Sequence, residues 1–228
     1  MVKNHLSRLT APVSWGVKRK GIKFITRPHA GAHNLRESIP LSLVITDLLK
    51  FARIRRETKK ILNEGKIFVN GKVRKDLGYA VGLMDVISIP SLNQDYRVFY
   101  DIKGKFKLSP LGDDEKDVRI VQIKNKTIIS GKKIQLNNSD GTNIILDKVA
   151  SYKTGDTLFV SLKDGSIKDH VSLKRGARIY LIGGTKRGVV GTLDDTKVNT
   201  IVVKTPEGSF ETAKRYAFAI GKIKTLEA

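Results

Sequence analysis

Residues 66–74 read Lys66-Ile67-Phe68-Val69-Asn70-Gly71-Lys72-Val73-Arg74, two short β-prone runs on either side of an Asn-Gly pair. Asn-Gly is the strongest short-range hairpin signal, because a type I′ turn needs positive φ at both central residues. The stretch is therefore expected to form a strand, a two-residue turn and a second strand. A third strand, Asp85-Val86-Ile87-Ser88-Ile89, closes a small sheet. Lys66, Lys72, Arg74 and Lys75 crowd the hairpin.

Upstream the period changes from two to 3.6. Leu41, Val44, Ile45, Leu48 and Leu49 recur at the spacing of one apolar helix stripe. Ser38 and Pro40 read as its start signals, an N-cap residue followed by Pro in the first turn. A second helix is expected over 54–64, with Ile54, Ile61 and Leu62 on one side and Gly65 as terminator. Its other side carries Arg55, Arg56, Lys59 and Lys60, just after Arg53, and only Glu57 and Glu64 offer local counter-charge. A solvated helix face normally mixes both signs, whereas like charges four apart cost stability unless something neutralises them. Phosphate is the neutraliser this patch suggests.

A basic second helix, a Gly, a strand into Val69-Asn70-Gly71-Lys72-Val73 and a final Asp-Val-Ile strand together resemble the S-four-type RNA-binding domain. The resemblance covers residues 41–90. It implies two helices packed on a small sheet, with the basic helix face and the adjoining hairpin gripping structured RNA. Many such domains have Gly-Asp before the last strand; this chain has Met84-Asp85, with Gly82 two residues earlier.

The charge distribution points to the same partner. The 228 residues hold 43 Lys and Arg against 22 Asp and Glu, a net +21, and a field of that sign attracts polyanions. Residues 1–75 hold 18 basic and 4 acidic side chains, residues 76–173 hold 14 and 13, and residues 174–228 hold 11 and 5. The excess sits at the two ends, so we read two polyanion-binding surfaces joined by a nearly neutral spacer. At 40% hydrophobic and 29% charged residues the composition is globular and not that of a disordered chain. The absence of cysteine excludes disulfides, thiolate metal sites and Cys nucleophiles. No apolar run has the length of a signal core or of a bilayer span, so a soluble, cytoplasmic chain is expected.

Residues 1–40 mix Pro12, Gly16, Gly21, Pro28, Gly31 and Pro40 with cations and show no persistent apolar period, which reads as an extended basic arm that orders only against something else. Trp15, the one Trp, is a candidate either for stacking on a base or for pinning the arm to the folded body. His29 and His33 are four apart, but Pro28 and Gly31 argue against a helix that would present both to one metal. No metal and no cofactor are expected.

Residues 91–173 show β-branched runs at 120–123, 127–129, 142–146 and 157–161, with turn chemistry at Asn125-Lys126, Ser139-Asp140-Gly141 and Lys163-Asp164-Gly165-Ser166, suggesting a central all-β domain. Asp113, Asp114, Glu115 and Asp117 come after Pro110 and Gly112 and read as a solvated loop, not as a catalytic pair, which would need environments that separate two pKa values. His170 has no evident Ser or Cys partner, and no enzyme is expected. Residues 174–228 open with strand, Gly-rich basic loop and strand: Arg178-Ile179-Tyr180-Leu181, then Gly183 to Gly188, then Val189-Val190. A Walker loop would need Gly-Lys-Ser/Thr leading into a helix, whereas this loop leads into β-branched residues. The order Gly176, strand, Gly183, Lys186, Gly188, Gly191 resembles the KOW motif, a small SH3-like β-barrel module, and places Lys186 and Arg187 at the loop tip.

The expected fold class is thus α+β and multidomain: arm 1–40, RNA-binding domain 41–90, central β domain 91–173 and KOW-like barrel 174–228. The combination, with His5-Leu6-Ser7-Arg8-Leu9, Arg27-Pro28, Leu35-Arg36-Glu37, Met84-Asp85-Val86-Ile87-Ser88-Ile89 and Phe218-Ala219-Ile220-Gly221-Lys222, resembles the archaeal and eukaryotic small-subunit ribosomal proteins of the S-four-e family across the whole chain. The chain lacks a long basic C-terminal tail, so the archaeal form is the closer fit. The resemblance implies a structural component that binds small-subunit ribosomal RNA beside neighbouring ribosomal proteins, with no small-molecule substrate, no membrane and no homo-oligomer. The residues expected to meet RNA are Lys3, Arg8, Lys18, Arg19, Lys20, Lys23, Arg27 and Arg36 on the arm, Arg53, Arg55, Arg56, Lys59 and Lys60 on the second helix, Lys66, Lys72, Arg74 and Lys75 at the hairpin, and Lys186 and Arg187 on the KOW-like loop. The rival readings are a non-ribosomal transcription or RNA-chaperone factor using the KOW module, an RNA-modifying enzyme, for which no catalytic motif is present, and a DNA-binding protein, for which no helix-turn-helix or zinc pattern is present.

Overall fold

The computed structural model describes residues 4–112, 115–146, 151–221 and 223; Lys3, Asp113, Asp114 and Lys222, singled out above, lie outside them. The chain divides into two compact units, Met1–Tyr100 with Lys105–Arg119, and Asp101–Gly104 with Ile120–Ala228.

In the first unit β1 (His5–Ser7) and β2 (Phe24–Thr26) pair as a short antiparallel ladder. Next come β3 (Ser38–Pro40), α1 (Leu41–Leu43), α2 (Arg55–Asn63), β4 (Phe68–Val69), β5 (Lys72–Val73), β6 (Ala80–Gly82), β7 (Val86–Ile89), β8 (Gln94–Tyr100) and β9 (Phe106–Pro110). β3 pairs with β6, and the remaining strands form an antiparallel sheet in the order β5-β4-β7-β8-β9. Ile39, Leu41, Val44, Ile45, Leu62, Val69, Val86, Ile87 and Val98 are buried, so the inward faces of helices and sheet supply the core.

Three expectations change here. Ser38 and Pro40 do not cap the first helix: they are extended and paired with Gly82 and Ala80, and the Ser38 hydroxyl donates to the Asn34 carbonyl at 2.8 Å. The first helix is a single α-turn that widens into a π-helical segment, Val44–Leu48, in which the Leu49 N–H reaches the Val44 carbonyl at 2.8 Å. The wider turn rotates Leu48 and Leu49 off the buried face, and both are only half-buried. Third, the sheet that the sequence closes at Ile89 continues past residue 91, because the open edge of β7 takes β8 in antiparallel register from Val86↔Arg97 to Ile89↔Gln94.

Arg97 sits inside this unit at 1% exposure. It donates to the Glu115 carboxylate, the Glu115 carbonyl and the Val118 carbonyl, each at 3.0 Å. Burial pushes its pKa down to about 10 even though the Glu115 charge opposes the shift. Glu115 is therefore not simply a solvated member of an acidic loop.

The second unit holds β10 (Val118–Ile128) from Ile120 onward, β11 (Ile134–Asn138), β12 (Asn143–Leu146), β13 (Thr157–Ser161) and β14 (Ile167–Val171), ordered β12-β11-β10-β13-β14 around Val121, Ile123, Ile134, Leu136, Leu158 and Val160. Asn125-Lys126 is not a turn. β10 runs straight through it, and a bulge between Ile123 and Asn125 absorbs the extra residue. β15 (Arg178–Leu181), β16 (Val190–Thr196), β17 (Thr200–Thr205), β18 (Gly208–Ala213) and β19 (Ala217–Ala219) form a second antiparallel sheet, ordered β18-β17-β16-β15-β19, over Ile179, Leu181, Leu193, Ile201, Val203 and Ala217. The buried Gln122 side-chain amide ties the two sheets by donating to the Gly155 carbonyl at 3.1 Å and the Ala217 carbonyl at 2.6 Å. Among the described residues the chain is mostly β, and the expected α+β character is confined to the first unit. No described helix is long and apolar enough to cross a membrane.

Candidate nucleic-acid interface

The cations of α2 are exposed by the way the helix is anchored. The Glu57 carboxylate accepts the backbone N–H groups of Arg53 at 2.9 Å and Ile54 at 3.4 Å, which satisfies donors at the N-terminus and consumes one of the two local acids. Gly65, at φ +70°, ends the helix. Thr58 and Leu62 are buried and Ile61 is half-buried; Ile54, expected on the inner side, precedes the first turn and is exposed. That leaves Arg53, Arg55, Arg56, Lys59 and Lys60 all exposed. Arg56, Lys59 and Lys60 line a shallow groove with Ile54, Glu57, Asn63 and Glu64. Lys66, also exposed, pairs with Glu64 at 2.6 Å, and this hydrogen bond and the Lys66 charge hold the Glu64 carboxyl below its ordinary value. Among the described residues the side chains of Arg53, Arg55, Arg56, Lys59, Lys72 and Lys75 have neither an ion pair nor a hydrogen bond.

Asn70 and Gly71 have φ of 51° and 74°, the pair of positive angles a type I′ turn demands. Asn70 also does something sequence reasoning missed. Its amide donates to Asp85 Oδ1 at 2.8 Å and accepts the Val86 N–H at 2.9 Å, so the turn is bolted to β7. Lys72 and Lys75 are exposed, and the half-buried Arg74 guanidinium lies 4.4 Å from the Tyr79 ring centroid. The Lys75 stem reaches to 3.8 Å from where a Cβ on Gly65 would stand, which seats the end of the hairpin against the C-terminus of α2.

The arm is folded onto this body. Trp15 is 1% exposed, and its indole N–H donates to the Ser38 carbonyl at 2.6 Å, so it pins the arm to the body and does not offer a face to a base. His29 and His33 each meet an aspartate: His29 Nδ1 lies 2.7 Å from Asp76 Oδ2, and His33 Nε2 lies 3.2 Å from Asp85 Oδ2. The His33 ring covers Gly82 so closely that no Cβ would fit there. Burial opposes ionisation of Asp85, yet the His33 charge and hydrogen bonds from His33, the Gly82 N–H and Asn70 hold its carboxyl below the usual range. The Met84 that departs from the Gly-Asp pattern takes up the left-handed conformation itself, at φ +64°, with its side chain buried.

The arm cations separate into two groups. Arg19 donates to the carbonyls of Arg8, Leu9 and Ala11 at 3.2, 2.9 and 2.8 Å, and Arg8 donates to the Lys18 carbonyl at 3.0 Å, so these two guanidinia brace the arm. Lys18, Lys20, Lys23 and Arg36 are exposed and Arg27 is half-buried, with the Lys23 ammonium 5.4 Å from the Phe24 ring. In the second unit Lys186 is exposed, 5.9 Å from the Phe210 ring, and Arg187 is half-buried. No cluster of three or more His, Asp or Glu side chains able to hold a metal occurs among the described residues.

A cationic helix face and hairpin on a small sheet, braced by a folded basic arm, define a module of the S4 class of RNA-binding domains, and residues 47–87 match the S4 domain. Residues 2–36 match the RS4NT (NUC023) domain, and residues 92–167 match the family described as Ribosomal family S4e. Over 228 aligned residues the chain is 43% identical to the small ribosomal subunit protein eS4 of Methanocella arvoryzae, covering 97% of this chain and 96% of that one. It is 42% identical to the protein of the same name from Methanocaldococcus jannaschii, covering 96% and 94%. The crystal structure of the 30S ribosomal protein S4e from Thermoplasma acidophilum is similar at a TM-score of 0.70 and 33% identity, over 82% of this chain and 97% of that one. The chain belongs to the S4e family of ribosomal proteins.

Proposed function

We propose that the protein is a structural constituent of the small ribosomal subunit in the cytoplasm, where it binds folded small-subunit ribosomal RNA beside neighbouring ribosomal proteins, as a single copy and without catalysis. The observation that carries this reading is the cation face of Arg55, Arg56 and Lys59 on α2 with Arg53 just before it, none of them paired among the described residues, next to the hairpin that carries Lys72 and Lys75 on an S4-class scaffold. Like charges so close together destabilise the free protein slightly and become favourable once phosphates neutralise them. The division of labour follows the charge. The arm (1–40) and the segment 41–90 make the first contact, the neutral stretch 91–173 is a spacer whose first strands extend the sheet of the first unit, and a KOW-like barrel at 174–228 makes the second through Lys186 and Arg187. Lys3, Lys18, Lys20, Lys23, Arg27 and Arg36 add phosphate contacts along the arm. Such contacts set register and orientation, and specificity comes from RNA shape.

With about eight phosphates neutralised, affinity for the RNA should fall with salt at a log-log slope of roughly 6 to 7. The deciding experiment is sedimentation of a cell extract through a gradient after a wash at about 0.5 M salt, a concentration that screens loose electrostatic binding. Retention in the small-subunit peak is the expected result. Release to the top of the gradient would sink the integral-component reading.

A further inference from the structure

The second unit carries a surface that the Lys186 and Arg187 loop does not account for. Tyr216 lies at the end of the turn after β18, half-buried, and its ring rests on the backbone of Gly183 and Gly184, leaving no room for a Cβ at Gly183. That turn is held at both ends, by the Lys214 N–H on the Asn199 carbonyl at 2.9 Å and the Ile182 N–H on the Tyr216 carbonyl at 3.0 Å. The neighbouring Arg215 is exposed, yet its guanidinium is not loose: Nη2 donates to the Tyr216 hydroxyl at 3.0 Å and Cζ lies 4.9 Å from the ring centroid. Along the same side of β18, Thr212 touches the Gly184 end of the loop and Phe210 lies beneath Lys186. The nearest carboxylate on that strand, Glu211, is already engaged by Thr200 at 2.7 Å and Lys197 at 3.0 Å.

An exposed guanidinium tethered to a tyrosine hydroxyl at 3.0 Å and held 4.9 Å from its ring centroid differs from a phosphate-binding lysine, because its planar group is partly positioned before any ligand arrives. Guanidinium planes stack on unpaired nucleobases and on nothing that a duplex exposes along its side. We infer that Arg215, positioned by Tyr216, is a stacking site for one unpaired RNA nucleobase, with Lys186 receiving a phosphate of the same strand. This site rests on the RNA-binding reading above and makes it more specific: the second contact favours RNA with a bulged or looped nucleotide over regular duplex.

The test uses the full chain and two RNAs, a paired stem and the same stem with one bulged 2-aminopurine nucleotide. The wild type should bind the bulged stem more tightly and quench its fluorescence. Arg215→Lys keeps the charge and removes the plane, so it should weaken bulged-stem binding about tenfold, within the roughly 5- to 150-fold a base stack spans, with an unchanged salt slope and unchanged duplex binding. Tyr216→Leu should behave alike, checked for intact β structure by circular dichroism. Lys186→Gln should instead lower the salt slope by about 1 and keep the preference. Equal weakening of both RNAs by Arg215→Lys, or no weakening, overturns the stacking site while leaving RNA binding standing. A wild-type protein that binds neither RNA with steep salt dependence would overturn the RNA-binding reading itself, and the stacking site with it.

Discussion

Replacing Glu115 by Gln should destabilise the first unit out of proportion to so small a change. Arg97 is almost wholly enclosed, and burial pushes its pKa down to about 10 even with the Glu115 charge beside it, so the enclosed guanidinium leans on that carboxylate to stay charged. Removing the counter-charge leaves the guanidinium with two backbone carbonyls and a neutral amide. Breaking a buried pair from one side costs about 3 to 5 kcal/mol, and because the Glu115 side chain keeps 22% exposure we expect the lower end, about 3 kcal/mol. In an Arg97→Met background the same Glu115→Gln change should cost clearly less, since the guanidinium it would strand is gone. Trp15 is the assay. It is the sole Trp, buried in the same unit, so its fluorescence through a urea titration of the whole chain reports that unit apart from the other. A Glu115→Gln midpoint indistinguishable from wild type, or an equal loss in both backgrounds, would refute the claim that Arg97 depends on this carboxylate.

The same geometry yields three further expected outcomes. Asn70→Gly preserves the positive φ but loses the bonds to Asp85 and Val86, so it should still cost about 2 kcal/mol in the Trp15 urea titration; a neutral result would show that only the turn conformation matters. The folded-state pKa of Asp85 is depressed, so its contribution to stability is fully present above the unfolded carboxyl value of about 3.9 and is lost as pH falls through the lower folded value. Acid unfolding followed by Trp15 should therefore shift for Asp85→Asn, with less stability lost below pH 4 than in the wild type. Arg56→Gln and Lys59→Gln should each lower the RNA-binding salt slope by about 1 without lowering the urea midpoint, because neither side chain has an ion pair or hydrogen bond among the described residues.

Much of the first unit was legible because its signals are local. Asn70-Gly71 decides a turn through the φ values two adjacent residues accept, Gly65 ends a helix the same way, and the cation stripe of α2 depends only on helical spacing. The charge split between the ends of the chain likewise needs nothing but counting. What reading along the chain missed was set by partners distant in sequence. Ser38-Ile39-Pro40 looks like a helix start and becomes a strand because Ala80–Gly82 offers it a ladder. β10 passes through Asn125-Lys126 because β11 pairs with it on both sides of a bulge. Arg8 and Arg19 read along the chain as cations of the same arm as Lys18 and Lys20, yet the carbonyls of a folded arm claim the first two and leave the lysines to solvent. Trp15, His33 and Arg215 acquire their roles from Ser38, Asp85 and Tyr216 in the same manner. Sequence alone determined that this is a basic, polyanion-attracting chain with an Asn-Gly hairpin beside a cationic helix, since backbone propensity and net charge are properties of short stretches and of sums. Tertiary structure alone decided which cations remain free to meet phosphate, because a charge is available only where folding has brought no carbonyl or carboxylate within reach.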